Sequence, residues 1–286
     1  MDKLQKRIRK LKNPSMVGFC FDKNQIPANY LEATPTLHEA YLQYSKDLLS
    51  ALKELVPAVR FSFGSFALYG ADGLQTLDRL LNFAKEQEFY VLLDAPEMWS
   101  VSQAEITVKA LMENWQFDGL FLSPYMGSDV IKPLMEAFGK NDVDLFIAVR
   151  TANKSASEIQ DLLTGTRYVY TAAADTAKRL GEGSVDRCGY SRIATVGPAT
   201  SADVLRTLRS KYDEVFLLID GYDYSGANAK NCSVAFDKLG HGAIACSDTA
   251  VVGAWREENS AKDAVALAVE AAERMKKNLT RYVTIL

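Results

Sequence analysis

Histidine and cysteine are both scarce in this 286-residue chain, and their shortage removes most metal and thiol chemistry from consideration. His38 and His241, the two histidines, have no partner at metal-ligand spacing and read as surface side chains, so no metal is expected. The four cysteines, Cys20, Cys188, Cys232 and Cys246, form no C-x-x-C pair. Cys20 and Cys246 fall in apolar runs, where a free cysteine behaves as a small buried hydrophobe, so free thiols are expected rather than a disulfide or a nucleophile. Long apolar runs are missing too. A stretch such as Val215 to Ile219 falls far short of the roughly 20 residues a membrane helix needs, so no membrane span is expected. Charge of one sign is lacking: 33 basic against 36 acidic residues give a net charge of -3, which offers nucleic acid no general attraction. The basic residues Lys53, Arg60 and Lys85 are too dispersed to form a nucleic-acid face. There is no G-x-S-x-G elbow, Walker loop or H-E-x-x-H, and no cofactor is implied. The opening MDKLQKRIRKLKNP is basic but has no apolar signal core, so it reads as a short amphipathic helix of a cytoplasmic protein. Glycine and proline are scattered singly, with no linker, so residues 1–286 read as one domain.

What is present is a regular alternation. Short apolar runs recur at Met16 to Phe21, Ala58 to Phe63, Tyr90 to Ala95, Gly119 to Pro124, Leu145 to Thr151, Arg192 to Gly197, Val215 to Gly221 and Gly242 to Asp248. Between them apolar residues fall at helical spacing over Leu37 to Leu55, Asp72 to Glu86, Val101 to Asn114, Asp129 to Phe138, Ser155 to Leu163, Ala202 to Tyr212, Gly226 to Leu239 and Ser260 to Asn278. Ser155 with Glu158 makes a capping-box pattern. Eight strands, each followed by a helix, predict an α/β fold of the (β/α)8 TIM-barrel type. A doubly wound sheet would need a Gly-rich phosphate turn after its first strand, and Gly18 stands alone there.

Several phrases, in order, resemble the bacterial type 2 branch of the orotidine 5'-phosphate decarboxylase family over nearly the whole chain. VRFSFGSFALYG (Val59 to Gly70) is similar to the family segment that begins Val-Lys-Pro, and LSPYMGSD (Leu122 to Asp129) to Asn-Pro-Tyr-Leu-Gly-x-Asp. VRTAN (Val149 to Asn153) resembles Val-Arg-Thr-Ser-Asn. DGYDYSGA (Asp220 to Ala227) lines up with Pro-Gly-Tyr-Gly-Ala-Gln-Gly-Gly, and Ser247-Asp248 with Ser-Arg.

The resemblance implies a barrel, a homodimer and decarboxylation of a nucleotide through a Lys-Asp-Lys-Asp network that steadies a carbanion and delivers a proton. Carried over residue by residue, the first lysine corresponds to Arg60, a poorer proton donor. The first aspartate is kept as Asp94, the proton-donating lysine becomes Pro96, and the partner-reaching aspartate becomes Trp99. With Met98, Trp99 is expected to fill the pocket. The ribose-binding aspartate becomes Cys20, with Asp22 two residues on. The loop glutamine becomes Ser225, and the phosphate-holding arginine becomes Asp248, an anion where the ligand is anionic. Ser123, in the fourth-strand phrase, belongs to the same set. As structural roles, Asp94 is expected to cap a loop or helix, or to pair with Arg60.

Three functions follow. The first is a decarboxylase-like barrel that has lost its activity and holds a small molecule at its mouth. The second is an active enzyme forming UMP in pyrimidine synthesis with another lysine recruited, Lys109, Lys132 and Lys154 being nearest. The third is a barrel enzyme for an uncharged substrate, with Asp94 and Arg60 as acid and base.

Overall fold

A computed structural model describes residues 1–94, 98–139, 142–256 and 263–286. Among these residues ten strands form in chain order: β1 (Ser15–Phe19), β2 (Ala58–Ser62), β3 (Tyr90–Asp94), β4 (Gly119–Leu122), β5 (Asp144–Ala148), β6 (Leu163–Thr164), β7 (Arg167–Tyr168), β8 (Ile193–Pro198), β9 (Leu217–Asp220) and β10 (Ala243–Ser247). All but β6 and β7 pair in parallel and close into a barrel, with β10 returning to β1. The eight expected strands are all there, and the barrel is the one their alternation predicts. Their short, almost wholly buried runs are what parallel strands covered on both faces require.

The helices are α1 (Asp2–Leu11), α2 (Ala28–Ala33), α3 (Leu37–Leu52), α4 (Phe63–Ala67), α5 (Gly70–Glu86), α6 (Val101–Asn114), α7 (Ser128–Gly139), α8 (Val169–Leu180), α9 (Ala202–Lys211), α10 (Ala229–Ser233), α11 (Thr249–Val252) and α12 (Ala264–Thr280). Side chains of Thr36, Ser100, Ser201 and Asp263 accept backbone N–H bonds at the starts of α3, α6, α9 and α12, which fixes where those helices begin. None of the helices among the described residues is long and apolar enough to cross a membrane.

The expected amphipathic helix α1 closes the N-terminal end of the barrel. Lys3 donates to the Phe89 carbonyl and Asp118, Arg7 to the Pro57 carbonyl, and Gln5 accepts from the Gly242 amide, all at residues that precede strands. Two helical expectations are corrected. Residues 155–163 do not form an α-helix: Lys154–Glu158 is a single 3-10 turn. Arg150 grips the Asp161 carboxylate through Nε (3.0 Å) and a terminal nitrogen (2.8 Å), and the Gln160 side chain accepts from the Thr151 amide (2.8 Å), so the segment folds back on itself. The chain then turns through Gly165 at φ 66° in the β6–β7 hairpin, and the helix of this unit is α8, absent from the expected set. Over 226–239 only α10 is helical, starting at the Asn228 cap after Gly226 at φ 92°. The histidines are half-buried rather than on the surface. His38 packs edge-on to Phe21 and Tyr69, and His241 Nε2 lies 3.0 Å from the Leu286 carbonyl oxygen.

Candidate ligand site at the barrel mouth

The C-terminal strand ends carry the groups in which a barrel usually places its chemistry. Arg60, in the middle of β2, is 7% exposed and points across the mouth. Its two terminal nitrogens each donate a 2.7 Å bond, one to Asp220 at the end of β9 and the other to Asp248 just after β10. Asp94, at the end of β3, stands 3.7 Å from Arg60 Nε, and its Oδ1 is buried without a hydrogen-bond partner among the described residues. One guanidinium therefore serves three carboxylates. Burial pushes the Asp94 carboxyl up to about 6; Arg60 pulls it down, and the charges of Asp248 and Asp220 push it further up. Burial also raises Asp248 against the pull of Arg60. For Arg60, burial opposes the charge, yet the surrounding carboxylates hold its pKa well above the ordinary arginine range.

A glycine makes this cluster possible. A Cβ on Gly18 of β1 would lie 1.9 Å from the Asp248 carboxylate, so the Asp248 side chain rests directly on β1 backbone that has no side chain.

On the β9–β10 side of the mouth, a second carboxylate is fully engaged. Asp223, in the loop after β9, accepts from Ser247 Oγ (2.6 Å) and from the backbone amides of Asp248 (2.8 Å), Thr249 (2.7 Å) and Ala250 (3.1 Å) at the start of α11. The loops after the seventh and eighth barrel strands, with the short helix that follows, are where many barrels cradle a phosphate on backbone N–H groups. Here the chain's own carboxylate sits on those amides.

On the opposite side, between β2 and β5, lies a cavity of about 660 Å³, a volume within the range of small-molecule sites. Ser62, Asp94, Met98, Trp99, Phe121 and Ser123 line it, together with residues of the loops after β4 and β5. Met98 is buried, whereas Trp99 is 63% exposed and stands at the rim. The expectation that both fill the pocket is corrected: they wall a cavity and leave it unfilled.

The structure brings together Arg60, Asp94 and Asp248, with Cys20 close enough that their charges act on its thiol. Burial, then the Asp248 charge, pushes that thiol up to about 12, which disfavours the thiolate. It is half-buried rather than fully buried. Two expected site residues lie elsewhere: Asp22 accepts from the Asn24 amide and caps a short turn, and Ser225 is exposed in the loop after β9; Pro96 lies outside the described residues. Asp94 caps nothing among the described residues, and Arg60 gives its short bonds to other acids. Lys109 pairs with Glu113 on α6, and no lysine lines the cavity among the described residues. Asp220 and Asp223 were missed, although the sequence carried the signal. They stand where the family phrase has proline and glycine, two acidic replacements inside one otherwise similar phrase.

Comparison with known proteins bears on the whole of this arrangement. The chain is 27% identical to an orotidine 5'-phosphate decarboxylase of Clostridium novyi over 284 residues, covering 98% of each chain. With one from Clostridium acetobutylicum it shares 28% over 246 residues, 85% of this chain and 86% of that one. The likeness supports the orotidine 5'-phosphate decarboxylase family. A solved structure of a putative orotidine-monophosphate-decarboxylase from Toxoplasma gondii superposes over 99% of this chain and 98% of its own with a TM-score of 0.82, and at 20% identity it speaks for the barrel alone. No protein-family model matches the chain.

Proposed function

We infer that this orotidine 5'-phosphate decarboxylase-like barrel does not decarboxylate orotidine monophosphate and instead binds a phosphate-free small molecule at its mouth. The observation that carries the reading is Asp223. A phosphate monoester would have to displace a carboxylate that holds three backbone amides and a hydroxyl, and it would arrive beside Asp248 and Asp220, two further anions. The missing proton donor argues the same way, since Arg60 stays charged and is tied to two acids.

The reading keeps the bacterial type 2 branch, on the phrases quoted, and takes residues 1–286 as one domain. It keeps a homodimer, supported by the exposed apolar side chains Ile106, Tyr125 and Met126 on elements at the mouth and beside it. Four free cysteines fit a reducing compartment such as the cytoplasm.

The second reading, an active decarboxylase of pyrimidine synthesis, is favoured by full-length similarity to proteins of that name. Incubating purified protein with orotidine monophosphate separates the two. No UMP is expected above the uncatalysed background, and turnover at the rate of a competent enzyme overturns the proposed loss.

A further inference from the structure

The cavity between β2 and β5 is lopsided in its chemistry. Its walls are aromatic and thioether groups, with hydroxyls and an amide from Ser62, Ser123, Thr151 and Gln160. Among the described residues Asp94 is its one carboxylate, and neither lysine nor arginine lines it. Arg60, the cation behind that wall, has already given its short bonds to Asp220 and Asp248. An anionic ligand would meet Asp94 with no cation on the wall. A ligand without a donor would leave the Asp94 carboxylate, 26% exposed, with Arg60 Nε at 3.7 Å as its nearest cation among the described residues. A ligand ammonium removes both deficits, adding positive charge where three carboxylates share one guanidinium and offering donors to the acid that lacks them. The wall suits the rest of such a molecule. Phe121 already has the Arg60 guanidinium 5.6 Å from its ring centre, the arrangement in which an aromatic face accepts a cation.

We propose that the mouth cavity binds a small aromatic amine, its ammonium on Asp94 and its ring among Met98, Trp99 and Phe121. This goes beyond the loss of decarboxylation, and the two stand or fall separately, because the orotidine monophosphate assay reads turnover and the experiment below reads amine binding.

Binding depends on pH in a set direction. Asp94 faces Arg60 from β2, Asp220 from β9 and Asp248 beyond β10, with Cys20 just past β1 and Cys246 of β10 neutral because burial raises both thiols. With its carboxyl at about 6, Asp94 is charged at pH 7.5 and largely protonated at pH 5. Ammonium affinity therefore falls as pH drops through 6, by about tenfold between those two values.

The test is calorimetric titration of the full chain with tryptamine and tyramine, and with tryptophol and tyrosol, the alcohols that replace each ammonium by a hydroxyl. At pH 7.5 the amines are expected to bind about tenfold or more tightly than the alcohols, and at pH 5 that preference is expected to shrink to about twofold. Asp94→Asn should erase the preference at pH 7.5, bringing the amines to the affinity of the alcohols. Trp99→Ala changes an exposed side chain that cannot decide folding, and should weaken the amines about fivefold. Failure of both amines to bind overturns the proposal. So does equal binding of amines and alcohols, an undiminished preference in Asp94→Asn, or full amine affinity in Trp99→Ala.

Discussion

The two ends of the barrel use the same residue types and reach opposite balances. At the N-terminal end, Asp118 receives Lys3 (2.8 Å), Lys85 (2.6 Å) and the Val91 amide (2.9 Å), while Asp144 receives Arg192 Nε (3.1 Å) and the Tyr90 hydroxyl (2.9 Å). Each buried acid there has at least one cation at bonding distance and further donors. At the C-terminal end three acids share Arg60, and Asp94 Oδ1 is left without a bond. A saturated network holds α1 and the strand starts in place; an unsaturated one leaves a group free to meet a ligand. The contrast shows which carboxylates are structural, something that neither exposure nor conservation of type would reveal.

The largest expected effect comes from breaking the scarce element at the mouth. Arg60→Met leaves three carboxylates facing one another with no cation, and should cost about 3–5 kcal/mol in urea unfolding at pH 7.5. The loss should be smaller at pH 4.5, where Asp94 and Asp248, both raised by burial, take up protons more readily, and an equal loss at both pH values would contradict the charge account. At the saturated end, Asp118→Ala strands two lysines and an amide. Since Lys3 is 42% exposed and water can take over its ammonium, the expected cost is about 2–3 kcal/mol.

Asp94→Asn sharpens the comparison by running the other way. The folded carboxyl sits at about 6 against an ordinary 3.8, so its stabilising effect is fully present below pH 3.8 and is lost as pH rises through 6. Asparagine removes that loss. The variant should gain about 1–3 kcal/mol at pH 7.5 and nothing at pH 4, read from paired unfolding curves. The smallest effect belongs to Trp99→Ala, expected within about 0.5 kcal/mol of the parent because its ring is at the rim.

The barrel was legible because its evidence is periodic: eight apolar runs, each followed by helical spacing, survive any change at the mouth. The β5–β8 connection was not. Its course is set by the grip of Arg150 on Asp161 and the turn at Gly165, tertiary and single-residue causes that the capping pattern at Ser155 could not outweigh. Asp94 was found at a strand end and Arg60 and Asp248 through the resemblance, but the bonds of Arg60 to Asp220 and Asp248 were not, because the two acids meet it from 160 and 188 residues away. Asp223 was readable as a departure from a similar phrase, and its fit onto the amides of Asp248 to Ala250 became visible only in three dimensions.

The guanidinium shared by Asp220 and Asp248 also latches distant parts of the chain together. Arg60 of β2 reaches the end of β9 and the residue just past β10 across the mouth, so early and late segments meet at one side chain. Bare backbone at Gly18 of β1 is what lets the Asp248 carboxylate lie there. A side chain at position 18 would therefore loosen this latch from a strand that contributes none of its charges.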